Sequence, residues 1–136
     1  MLDVFAKVKS PNLQGLIVWL PMVPGDSALA AADLVSAEKR LAMQAWDSRR
    51  SIGVALAKTL HLRRPAWDVY LVYGPGVEWV GETAPMPSFW MHQLGKRAGA
   101  DPALRLVPAK LEYEVRKQLG EQIGPEPGTK PEEACL

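Results

Sequence analysis

Apolar positions along the chain fall into short blocks separated by breaks rich in proline and glycine. Leu16-Ile17-Val18-Trp19-Leu20 is a continuous apolar run. A run without alternation predicts a strand buried on both faces, the pattern of a central, parallel strand. Pro21 to Gly25 ends it. Asp26 or Ser27 then stands where a helix N-cap belongs, because a short side-chain oxygen accepts from the free N–H groups of a first turn. Residues 28–41 are rich in good helix formers. Met43 to Trp46 predicts a second short strand. Asp47 or Ser48 is placed to cap a second helix, in which Ile52, Leu56 and Leu60 recur every four residues and share a face.

The run Val69-Tyr70-Leu71-Val72-Tyr73 is β-branched and aromatic, a strand composition. Gly74-Pro75-Gly76 predicts a turn, with residues 77–80 returning as the second strand of a hairpin. Residues 81–87 read as a loop. Ser88 is placed to cap a short helix over 89–94, stopped by Gly95. Pro108 opens a last helix with Leu111, Val115, Leu119 and Ile123 on one stripe, and Glu112 and Arg116 paired four apart on its wet side. Strand, helix, strand, helix, hairpin, helix, helix is the order of an α/β domain, a mixed sheet flanked by α-helices. One domain is expected over residues 1–123. The Pro- and Glu-rich residues 124–136 are expected to form a disordered tail.

Composition narrows the function classes. The chain has 136 residues, room for one domain with its own core. Apolar residues at 48% and charged residues at 23% exclude wholesale disorder. Lysine plus arginine count 16 against 15 acidic residues, a net charge of +1. That balance lacks the dense basic surface of a dedicated nucleic-acid binder, so no nucleic-acid partner is expected. The longest apolar run, residues 16–23, is broken by Pro21 and falls far short of the ~20 residues of a membrane span. No membrane partner is expected, and the start lacks the basic-then-apolar pattern of a signal peptide. Cys135 is the single cysteine. It forbids an intrachain disulfide, a CxxC pair and a multi-cysteine zinc site, and it fits a reducing, cytoplasmic location. His61 and His92 do not stand at ligand spacing, so neither a metal nor another cofactor is expected. Ser88, His92 and an aspartate could be drawn as a triad, but no nucleophile elbow accompanies them.

In this order the segments resemble a thioredoxin-like domain. Val18-Trp19-Leu20-Pro21-Met22 is similar to the family's buried strand and active turn. The family's two cysteine positions fall on Val23 and Asp26, with Pro24-Gly25 between them. Arg64-Pro65-Ala66-Trp67-Asp68, running into the apolar stretch 69–73 and Gly74, resembles the segment where the family carries a cis-proline before a strand and hairpin. The helix over 51–60 also has a counterpart. The likeness spans roughly residues 16–94 and implies a thioredoxin-like mixed sheet with a ligand groove beside a cis Pro65. Thioredoxin chemistry, however, needs an activated thiolate and a second, resolving thiol. Val23 and Asp26 supply neither. The resemblance therefore implies a redox-inactive member that is not a thiol-disulfide oxidoreductase, with a binding role favoured over an enzymatic one.

The same resemblance places the candidate site at Arg64, Pro65, Ala66 and Trp67, with Asp26, Ser27 and Trp90 around it. In this fold the backbone beside the cis-proline pairs with an extended ligand, a peptide or glutathione, and such main-chain pairing needs no thiol. Arg64 could hold a ligand carboxylate. Asp26 and Ser27 are equally ordinary caps. Trp46, Trp67, Trp79 and Trp90 could line one aromatic surface beside Pro65, although cross-strand packing would also account for Trp67 with Trp79. Three functions stay open. The leading one is a redox-inactive domain that binds a protein or peptide, with homodimerisation possible. The second is a glutathione-binding or glutathione-transferase-like enzyme using the hydroxyl of Ser27 or Tyr70. The third is an assembly module acting through the C-terminal helix and residues 89–94.

Overall fold

The computed structural model describes residues 2–35 and 42–128. The end of the helix expected over 28–41, the end of the expected tail and Cys135 lie outside the described residues. A short helix that the sequence pattern does not announce, α1 (Leu2–Lys7), opens the chain. Next come β1 (Leu16–Trp19), α2 (Ala28–Val35) and β2 (Met43–Trp46). β1 and β2 are parallel, in register from Leu16 opposite Met43 to Trp19 opposite Trp46. The ladder extends at both ends, where Met43 N–H donates to the Gly15 carbonyl at 2.8 Å and Asp47 N–H to the Trp19 carbonyl at 2.9 Å.

The expected parallel pairing is present, but the expected double burial of β1 is not. Leu16 is 60% exposed and its partner Met43 72%. The two strands form a sheet of their own rather than the centre of a larger one. α3 (Ser51–Thr59) follows; its N-cap is Arg50, left-handed at φ 58°, and not Asp47 or Ser48, although Asp47 Oδ2 reaches forward to accept from Ile52 N–H at 2.7 Å.

The second half of the chain holds β3 (Val69–Val72), β4 (Phe89–His92) and α4 (Pro108–Gln118), with two short 3₁₀ turns, Lys96–Ala98 and Pro102–Leu104, before α4. β3 and β4 are antiparallel, from Val69 opposite His92 to Val72 opposite Phe89. Two expectations are corrected here. Residues 89–94 do not form a helix; their first four residues are the partner strand of β3. Residues 77–80 do not return as a hairpin strand, and only an isolated bridge joins Val80 to Thr83. Ser88 accordingly caps no helix, and its Oγ instead accepts from Gly74 N–H at 3.2 Å.

The reason is packing on both faces of this sheet. Val72 and Met91 face Val4 and Val8 on one side, together with Leu111 and Val115 of α4. Val69, Leu71 and Trp90 face Leu56 of α3 and Leu60 at its C-terminal cap on the other. A four-residue strand with both faces covered shows no polar alternation, so periodicity alone does not separate it from a helix turn. α4 begins at Pro108, where a fixed φ and a missing N–H cost nothing. Its stripe is as expected through Leu111 and Val115, while Ile123 lies beyond its end. Arg116 bonds Glu112 at 3.0 Å, Glu121 at 2.8 Å and the carbonyl of Lys7 at 3.3 Å, tying α1 to α4.

Candidate functional site

β1 and β3 each pair on one side only, and among the described residues no backbone hydrogen bond joins them. Between them lies a cleft made of two adjoining cavities of about 380 and 620 Å³. Both are lined by Leu16, Val18 and Leu20 on one wall and by residues 67–70 on the other. The smaller reaches in to Ile52 and Leu56 of α3 and to Leu111 and Val115 of α4. The larger reaches Trp19, Trp46 and the start of α2.

Gly53 in α3 sets the spacing of the two walls. A Cβ at this position would meet Leu20 Cδ2 at 2.8 Å and the Ala66 carbonyl oxygen at 2.9 Å. Only glycine lets the helix seat both walls so closely. The Ala66 N–H donates to the Gly53 carbonyl at 2.8 Å, which fixes the second wall to the helix. Past Ala66, Trp67 is 41% exposed, and Asp68 takes a left-handed backbone with φ 54°, a conformation that Asp tolerates better than most residues.

The polar groups of the cleft are few. The Tyr70 hydroxyl donates to Asp68 Oδ1 at 2.9 Å and lies 2.8 Å from the side-chain amide of Gln93. Burial, reinforced by the bond to Asp68 and its charge, pushes the Tyr70 phenol up to about 12, so it is a proton donor throughout the ordinary pH range. Asp26 Oδ2 accepts from Val23 N–H at 2.9 Å and from Met22 N–H at 2.7 Å. Those two bonds hold its carboxyl below the usual carboxylate range. Asp26 is therefore the staple of the turn after β1 rather than a helix cap. Ser27 is the cap of α2, with its Oγ accepting from Ala30 N–H at 3.1 Å.

The sequence-based candidates divide. Asp26, Ser27 and Trp67 line the larger cavity, and Ala66 the smaller. Arg64 and Pro65 line neither. No peptide bond among the described residues is cis, so the expected cis Pro65 is corrected to a trans bond. Pro65 also does not open the strand, since β3 starts four residues later, and the segment between is anchored on α3. Trp90 is half-buried and packs against the core on the α3 side of β4, with its ring centroid 5.8 Å from that of His92 at 37°. His92 is buried, its Nδ1 accepting from Leu94 N–H at 3.1 Å and its Nε2 lying 2.9 Å from the Asp101 carbonyl. Both ring nitrogens are engaged by main chain, which leaves none for a triad. Trp46 and Trp79 do line the cleft, but Trp79 sits in the connection after β3 and not on a neighbouring strand.

No family model, curated protein or solved structure matches the chain.

Sequence reasoning overlooked Asp68 and Trp19 as lining residues. A signal for Asp68 existed, since an aspartate between a tryptophan and a β run is a residue type that accepts a left-handed kink. For Trp19 there was none, because a tryptophan in an apolar strand points to the core as readily as to a cleft. Among the described residues no three His, Cys, Asp or Glu side chains gather as a metal site requires, and no helix is long and apolar enough to cross a membrane.

Proposed function

We propose that the chain is a redox-inactive, thioredoxin-like domain that binds an extended segment of a protein or peptide in the cleft between β1 and β3. The observation that carries this reading is the pair of facing strands, each with an edge free of backbone bonds and both lining the same apolar cleft. A free strand edge offers a row of N–H and C=O groups that pairs with any extended chain, while pockets beside it select side chains. Such binding requires no thiol, in agreement with Val23 and Asp26 at the positions where thioredoxins carry cysteines. Support for the architecture comes from a parallel pair joined through α2, an antiparallel pair and a closing helix, in the order that the resemblance implies.

The two rivals find less support. The Tyr70 hydroxyl donates to Asp68 and so is not presented to a glutathione thiolate, whereas Ser27 Oγ accepts from Ala30 N–H at the α2 cap and keeps its own O–H to donate, which leaves Ser27 as the one hydroxyl that rival could use. An assembly surface over residues 89–94 would need exposed apolar groups, whereas Met91 and Leu94 are each 1% exposed. The test is hydrogen exchange on the full chain with nonapeptides selected from a random displayed library. Protection of amides 16–20 and 68–72 by a selected peptide is the expected result. Protection elsewhere, or protection of these amides by glutathione and by no peptide, would sink the reading.

A further inference from the structure

The charges around the cleft are one-sided. The described residues that line it include two charged side chains, Asp26 and Asp68, and no Lys, Arg or His. The chain as a whole carries 16 basic and 15 acidic residues, so composition does not produce this bias. Each carboxylate retains an oxygen outside the bonds described above: both N–H groups at Asp26 go to Oδ2, and Tyr70 donates to Oδ1 of Asp68. The larger cavity is also aromatic, lined by Trp19, Trp46, Trp67 and Tyr70. Carboxylates that line one cavity together with indole and phenol rings give it a character that attracts a cation, through charge-assisted hydrogen bonds and through the ring quadrupoles. The long apolar stem of lysine or arginine also suits an apolar wall better than a compact inorganic cation does.

We propose that the cleft selects an extended peptide carrying a lysine or arginine side chain, its cationic head taken by the carboxylates of Asp26 and Asp68 beside the indole of Trp67. This rests on the peptide-binding reading above and names the ligand's charge. Glutathione, which carries two carboxylates and one ammonium group, is disfavoured by the same groups.

The test begins with the peptides selected from the random library, in which lysine or arginine should be enriched at one position. In the best binder, Lys→Gln should weaken affinity about tenfold, and Lys→Glu further, in titrations followed by tryptophan fluorescence. D68N and D26N in the full chain should each reduce the ratio of the affinities for the Lys and Gln peptides. If either variant fails to fold, the peptide-side substitutions measure the same preference on the unaltered chain. Selected peptides that lack basic residues but still protect amides 16–20 and 68–72 would overturn the charge assignment and leave the peptide reading standing. Equal binding of the Lys, Gln and Glu forms would do the same. Selection of no peptide at all would overturn both. Competition by free Nα-acetyl-lysine amide as strong as that of the peptide would identify a small cation as the occupant and overturn the choice of a peptide.

Discussion

The two strand pairs are built from similar residues and meet different fates. Leu-Ile-Val-Trp in β1 is at least as apolar as Val-Tyr-Leu-Val in β3. Yet β3 and β4 supply Val72 and Met91 to the buried cluster on the α1 and α4 face, and Val69, Leu71 and Trp90 pack half-buried against the cluster on the α3 face. No residue of β1 or β2 belongs to either cluster. Burial is thus decided by what packs across a strand and not by the strand's own hydropathy. The sandwiched pair is the scaffold, and the open pair, with α2 beside it, forms one wall of the cleft. Local stability commonly divides in this way, with binding elements drawn from the less protected part of a domain.

The strongest test of that contrast is a matched pair of truncations. Met91→Ala removes a side chain 1% exposed between two helices and should cost about 3 kcal/mol. Val18→Ala, in half-buried β1, should cost less than about 1 kcal/mol. Urea unfolding of both variants measures the difference, and equal losses would mean that the halves are one uniform core. Next comes Gly53→Ala. Its new methyl would collide with Leu20 Cδ2 and the Ala66 carbonyl, linking the open half to the scaffold at one point. Leu20 can rotate away, but the carbonyl is held by the backbone. A net cost of about 1–2 kcal/mol is expected after the ~1 kcal/mol that alanine gains over glycine in a helix. Ser27→Ala deletes the α2 cap within the open half and should cost about 1 kcal/mol. Peptide affinity should fall little with it, since main-chain pairing along β1 and β3 does not involve this hydroxyl.

What the sequence made legible follows the same division. β1, β2, α3, β3 and most of α4 could be read because each is a short block with clear punctuation: Pro21, Asp47, Gly74, Pro108. β4 could not, because Phe-Trp-Met-His is covered from both sides and carries no alternation. The hairpin failed because Gly74-Pro75-Gly76 resembles a tight return, whereas the true partner strand lies beyond Pro87. That pairing is decided by long-range packing against α3 and α4, which no local window contains. At the site, Asp26, Ser27 and Trp67 were named through the resemblance, and they line the cleft. Arg64 and Pro65 were named through a resemblance whose cis bond is absent here. Trp90, on residues expected to form a helix, could have docked on the sheet or faced a partner; as part of β4 it packs against the α3 cluster.

The smallest expected effect is a titration. Tyr70 lies on the cleft wall, and its phenol is raised to about 12 mainly by burial and then by Asp68. Tyr73 is raised as well, by burial alone. A tyrosine whose folded value lies above its unfolded value of 10.0 contributes fully to stability below that value. The contribution is lost as pH rises from about 10 through the folded value. Alkaline unfolding should therefore set in within that window, and absorbance at 295 nm should show Tyr70 ionising late. Tyr70→Phe should remove the late step and flatten the loss of stability above pH 10. Bound peptide, by covering the cleft wall, should move the step later still, whereas no movement would place the ligand away from β3. That last measurement ties the electrostatics of one side chain to the contrast between the halves, since Tyr70 belongs to the scaffold's sheet and lines the open cleft.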